Sequence, residues 1–99
     1  MTNDERVVVD AETPAFLKAL RKLDTNELKK VLKTFRKLET LTWVSVFQDH
    51  GLKWEQVKGQ PGTYTIRLSQ SYRAVVEREG SCMVFQAVFL DHDGAYGKK

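Results

Sequence analysis

From Leu28 onward the apolar residues Leu28, Val31, Leu32, Phe35 and Leu38 recur at i, i+3, i+4, i+7 and i+10. That is the signature of one face of a helix, and it predicts a helix over 25–39 with its lysines turned outward. Asp24 and Glu27, three apart just before the series, form a capping box with aspartate in the cap position. A preceding helix over 14–23 is predicted by Phe16, Leu17, Leu20 and Leu23. Thr13 serves as its N-cap and Pro14 takes the first helical position. The link between the two is minimal, so they should form an antiparallel hairpin. Thr42 caps a shorter third helix that carries Trp43, Val46 and Phe47 and stops at Gly51.

The period then changes from 3.6 to 2. Segments 52–58, 63–69, 72–78 and 82–90 read as successive strands, and the β-branched run in 5–10 as another. Breaks at 59–62, 69–71 and 79–80 are too short for crossovers and force an antiparallel meander. The expected fold class is α+β: an N-terminal strand, a helical hairpin and a short third helix packed on one face of a curved antiparallel sheet. At 99 residues, one domain over 1–99 is expected.

Strand parity sorts the side chains further. Tyr64, Ile66 and Leu68 form the core set of one strand, and Ala74 and Val76 that of the next, so Arg67 and Arg73 emerge together on the exposed non-helix face. A two-residue turn at Glu79-Gly80 puts Glu77 opposite Cys82 and Arg73 opposite Gln86. Met83, Phe85, Ala87 and Phe89 then enter the core, and His92 joins the arginine face six residues beyond Gln86. In a straight strand six residues span roughly 20 Å, so only strong twist, a bulge or a folded-back chain would bring His92 to Arg73.

Composition narrows the chemistry. Hydrophobic residues at 41% and charged residues at 29% exclude a wholly disordered chain, and no apolar run is long enough to span a bilayer. The lone Cys82 forms no internal disulfide, no ligand cluster suggests a metal, and a cytoplasmic location is expected. Net charge is only +3, but residues 15–38 hold eight of the sixteen Lys and Arg against two acidic residues. Such a patch suits RNA or an acidic protein partner, or is simply the solvated back of two amphipathic helices.

The stretches His50–Glu55 (HGLKWE), Gly62–Ser69 (GTYTIRLS), Tyr72–Val76 (YRAVV) and His92–Tyr96 (HDGAY) occur in an order that resembles the RelE/ParE superfamily of toxins from toxin–antitoxin systems. The likeness is greatest to the RelE-like mRNA interferases and covers about residues 50–99 in motif, with the two preceding helices matching in order. It implies a ribosome-dependent endoribonuclease that cleaves messenger RNA by 2′-hydroxyl attack without a metal or cofactor, and a cognate antitoxin as partner. Carried over by position, Glu55 is the base, Arg73 the phosphate clamp, His92 the acid or alternate base, and Tyr96 a stacking residue. Arg67, Lys53, Lys98 and Lys99 are supporting cations, and Lys29 and Lys33 offer further RNA-binding charge on the helix. Each role has a structural rival. Glu55 is also a solvated strand residue or, like Glu77, an ion-pair partner for Arg73. His92 could cap a turn, Tyr96 could pack the C-terminus, and Trp54 could lie in the core or stack on RNA. Other members of the superfamily inhibit DNA gyrase without cutting RNA; those tend to lack the full acid/base set, which favours RNA here. Non-toxic nucleic-acid binding is a further alternative.

Overall fold

The computed structural model describes residues 5–90. Its elements run β1 (Val8–Asp10), α1 (Pro14–Leu20), α2 (Thr25–Leu38), α3 (Trp43–Gln48), β2 (Glu55–Gln56), β3 (Thr63–Arg67), β4 (Tyr72–Glu79) and β5 (Cys82–Leu90). All three helix starts form where the capping residues predict. The Thr13, Asp24 and Thr42 side chains accept the backbone N–H groups of Phe16, Glu27 and Ser45. α1 stops three residues short of expectation. The N–H groups of Lys22 and Leu23 bond to carbonyls three residues back, tightening the exit, and Asp24 is already extended as the cap of α2.

The five strands form one sheet in the order β1-β5-β4-β3-β2. β2 to β5 make the expected antiparallel meander, and β1 adds a parallel edge on β5. The stretch expected to form a six-residue first strand is divided in use: only Val8–Asp10 joins β5, while Arg6 bridges Thr42 ahead of α3. The helices lie on one face and bury Phe16, Val31, Leu38, Trp43 and Val46 against Ile66, Leu68, Ala74, Val76, Met83 and Phe85. Phe85 packs at 5.2 Å from Phe16 and 4.9 Å from Phe35, joining both hairpin helices to the sheet.

Two departures from the expected register set the site. In the β3–β4 hairpin Arg67 faces Arg73 directly, although the strand expected over 63–69 would have carried the pairing on to Ser69. Ser69 instead belongs to the turn, and its hydroxyl accepts the N–H groups of Ser71 and Tyr72 while donating to Glu27 of α2 at 2.9 Å. Thr34 of α2 also donates to the Leu68 carbonyl at 2.6 Å, so two side chains of α2 grip this turn. In the β4–β5 hairpin, Glu79 pairs with Cys82 and Glu77 with Val84, two residues off the expected pairing. A β-bulge then intervenes, because Val76 faces Phe85 while Val75 faces Ala87, leaving Gln86 as the extra residue. The bulge reverses the parity of the end of β5. Val88 therefore packs on the core, whereas Ala87 and Phe89, expected inside, lie on the other face. Thr13 donates to the Phe85 carbonyl at 2.9 Å beside the bulge, so the α1 cap also anchors this irregularity.

Candidate functional site

The segment expected as a strand over 52–58 is mostly not one. Asp49 accepts the N–H groups of Gly51 and Leu52, a turn that drives Leu52 into the core at 3% exposure. Lys53 follows at φ 49, a left-handed conformation that costs a lysine of order 1 kcal/mol. Trp54 then turns inward, stacked on Tyr64 with ring centroids 4.4 Å apart and edge-on to Trp43 at 5.4 Å. That contact resolves the choice for Trp54 in favour of the core. Only Glu55 and Gln56 pair with β3, with Glu55 opposite Thr65.

This path aims the Lys53 carbonyl and the Glu55 carboxylate at one guanidinium. Arg73 Nη2 donates to the Lys53 carbonyl at 2.9 Å and to Thr65 Oγ1 at 2.6 Å, and it lies 3.9 Å from Glu55 Oε1. Arg73 shares the non-helix face with Arg67, as parity predicts, but it is only 8% exposed and not the open surface residue expected. The cause is local: the guanidinium lies back along the sheet, satisfied by a carbonyl and a hydroxyl that replace water. The Glu55 side chain remains 71% exposed at the rim, so its pairing with Arg73 contributes little stability and is easily exchanged for another anion.

Arg67 and Arg73 stand directly opposite each other across the β3–β4 ladder. Like charges in that relation oppose folding, and an anion placed over them would reverse the sign of the interaction. A carboxylate on the rim and two guanidinium groups on one face, one of them held by fixed acceptors, form an arrangement suited to a phosphodiester. Arginine suits such a group because its planar fork holds two oxygens at once.

Of the remaining expected residues, Lys53 has an exposed side chain beside the site, and its backbone carbonyl is the part that contacts Arg73. Lys29 and Lys33 stand on the outer face of α2, across the sheet from Arg73, so they do not join this site. His92, Tyr96, Lys98 and Lys99 lie outside the described residues. The two-residue register shift and the bulge together make Phe89 the partner of Arg73, so His92 follows that partner by three residues in sequence, not six, and the same bulge removes the parity argument that put His92 on the arginine face. Thr65 was overlooked as a site residue. Its signal was present, since it lies two residues before Arg67 and therefore on the same face. The Lys53 carbonyl had no comparable signal.

Asp49 supports the whole segment. Its Oδ2 lies 2.9 Å from Lys37 Nζ, and that hydrogen bond, with the Gly51 and Leu52 N–H groups, holds its carboxyl below the usual range against the opposing effect of burial. A depressed folded-state pKa contributes stability that is present above the unfolded value and lost as pH falls through the folded one. Asp49→Asn is therefore expected to cost about 1 kcal/mol at pH 7, and the gap should begin to narrow near pH 4 and close only as pH falls through the lower folded-state value. Urea midpoints of both proteins at pH 7 and pH 3 test this; an equal gap at both pH values would remove the charge from the explanation.

The α+β fold, with a helical hairpin and a third short helix on one face of a five-stranded sheet, is that of RelE-like toxins. The chain is similar over 94% of its length to 99% of a chain in the RelB–RelE antitoxin–toxin complex from Methanococcus jannaschii, with a TM-score of 0.63 and 19% identity. It is also similar over 97% of its length to 99% of a chain in the archaeal RelE–RelB complex from Pyrococcus horikoshii, with a TM-score of 0.58 and 17% identity. No protein-family model and no curated protein matches the sequence. Among the described residues no helix is long and apolar enough to cross a membrane.

Proposed function

We propose that this protein is the toxin of a toxin–antitoxin pair, a cytoplasmic endoribonuclease that cuts messenger RNA on the ribosome and so stops translation. The observation that carries this reading is the pairing of Arg67 with Arg73 on a RelE-like sheet, with the Glu55 carboxylate 3.9 Å from the Arg73 guanidinium. In the proposed reaction Glu55 takes the proton from a ribose 2′-hydroxyl, and the oxygen so exposed bonds to the adjacent phosphorus. Arg73, supported by Arg67, stabilises the negative charge that builds on the phosphoryl oxygens. The bond from phosphorus to the 5′-oxygen then breaks, and His92 supplies the proton that this oxygen needs. The products are a 2′,3′-cyclic phosphate and a free 5′-hydroxyl, and no metal takes part. Tyr96 would stack on a base, with Lys53, Lys98 and Lys99 as supporting cations.

A cognate antitoxin is part of the proposal. The basic outer face of the hairpin, including Lys29 and Lys33, is suited to an acidic or amphipathic segment of that partner.

The test is induction in a bacterial host with mapping of RNA ends. Translation should halt, and new 5′-hydroxyl ends should appear inside coding sequences. His92→Ala should relieve the arrest while the protein remains folded. Intact messenger RNA accompanied by a DNA-damage response would overturn the proposal in favour of gyrase inhibition.

A further inference from the structure

Beside the Arg73 cluster the sheet edge opens into a recess of about 400 Å³ lined by Glu55, Gln56, Val57, Lys58, Gln60 and Thr65. That size lies within the roughly 300–1,000 Å³ of small-molecule sites. Two of its lining residues, Glu55 and Thr65, also contact Arg73 Nη2, at 3.9 and 2.6 Å. The recess thus adjoins the proposed phosphate site, with Glu55 and Thr65 common to both. The lining combines one apolar side chain, Val57, with the amides of Gln56 and Gln60 and the ammonium of Lys58.

The β2–β3 loop that forms the outer wall is braced by its own backbone. Val57 N–H bonds to the Thr63 carbonyl at 2.8 Å, Gln60 N–H to the Val57 carbonyl at 3.0 Å, and Thr63 N–H to the Gln60 carbonyl at 3.1 Å. Gly59 at φ 79 and Gly62 at φ 85 make the two left-handed steps that this closure requires. Gln60 is therefore carried on a braced backbone, with its side chain exposed at the rim of the recess. A glutamine amide presents a donor and an acceptor side by side, the pattern needed to read the edge of an unstacked base.

We infer that this recess is a nucleobase subsite of single-stranded RNA, in which Gln60 biases which base may lie next to the cut phosphate. The inference rests on the proposed RNA-cleaving function. It makes Gln60 a specificity residue and leaves the bond-breaking chemistry to Arg73 and its partners.

Ribosomes programmed with messages carrying randomised codons, incubated with the full chain, give the test when every cut is sequenced. For the wild type one position beside the cut should show a base preference, and Gln60→Ala should flatten it by about tenfold. Gln60→Glu, which keeps the shape but loses the donor, should shift the preference to a different base. Identical cut profiles for the wild type and both variants would overturn the subsite. Arg73→Met, run alongside, separates the two ideas. If the wild type cuts no message, the cleavage reading fails; if Arg73→Met leaves cutting intact, the clamp at Arg73 fails; if it abolishes cutting while the Gln60 profiles stay unchanged, only the subsite fails.

Discussion

Arg73→Met is expected to lower cleavage by about 100- to 1,000-fold, the usual effect of removing one positioned donor from a developing negative charge. Methionine fills much of the volume of the arginine stem, so the sheet keeps its packing while the fork is lost. The substitution has a stability cost, because the Lys53 carbonyl and the Thr65 hydroxyl lose their shared donor. Leaving such groups unpaired costs about 1–3 kcal/mol each, offset in part by no longer burying a charge. A drop in melting temperature of several degrees is expected, with cooperative unfolding retained. Arg73→Lys is the informative companion. It keeps the positive charge but cannot hold two phosphoryl oxygens in one plane, so partial activity is expected. Single-turnover cleavage on programmed ribosomes, with a thermal melt of each variant, measures both quantities. A folded Arg73→Met protein that cuts at the wild-type rate would leave the clamp without a role.

The position of Arg73 also shows which parts of the site were legible in the sequence. Its face was readable, because the alternation of Ile66, Leu68, Ala74 and Val76 leaves both arginines on the opposite side of the sheet. Its partner and its burial were not. The Arg67–Arg73 register depends on Ser69 leaving the strand to hold Ser71 and Tyr72, and the serines at 69 and 71 mark a turn without fixing the residue at which the strand ends. Parity fails beyond the Gln86 bulge because a bulge adds one residue without any compositional mark, and the later side chains of β5, up to Leu90, change face. The helices were easier to read than the strands, since each announces its start through a capping side chain. β2 was the least legible element. The apolar spacing of Leu52 and Trp54 looks like a strand, yet both reach the core through the Asp49 turn and the left-handed Lys53. The same irregular path brings Lys53 and Glu55 to Arg73, so the least regular segment is the one that assembles the candidate site.

Trp43→Ala is expected to abolish function by a different route, through loss of the fold. Trp43 is fully buried and joins three elements. Its Nε1 donates to the Ser81 carbonyl at 3.0 Å in the β4–β5 turn, and its ring meets Trp54 edge-on in the segment before β2. The Arg78 guanidinium from β4 lies over its face, 3.9 Å from the ring centroid. Truncating a buried tryptophan costs about 3–5 kcal/mol in packing alone. The orphaned Ser81 carbonyl adds about 1–3 kcal/mol, and the lost cation–π contact about 1–2 kcal/mol. Against a total stability of roughly 5–15 kcal/mol, the sum leaves much of the population unfolded. Trp43→Phe keeps most of the ring area but loses the bond to Ser81, so it should be destabilised yet folded, with a urea midpoint between the other two. Midpoints for Trp43→Ala and wild type that coincide would contradict this account of the core. Activity separates the two kinds of failure: Trp43→Phe, where folded, should cut RNA at close to the wild-type rate, because Trp43 packs on the helix face of the sheet and Arg73 acts from the other.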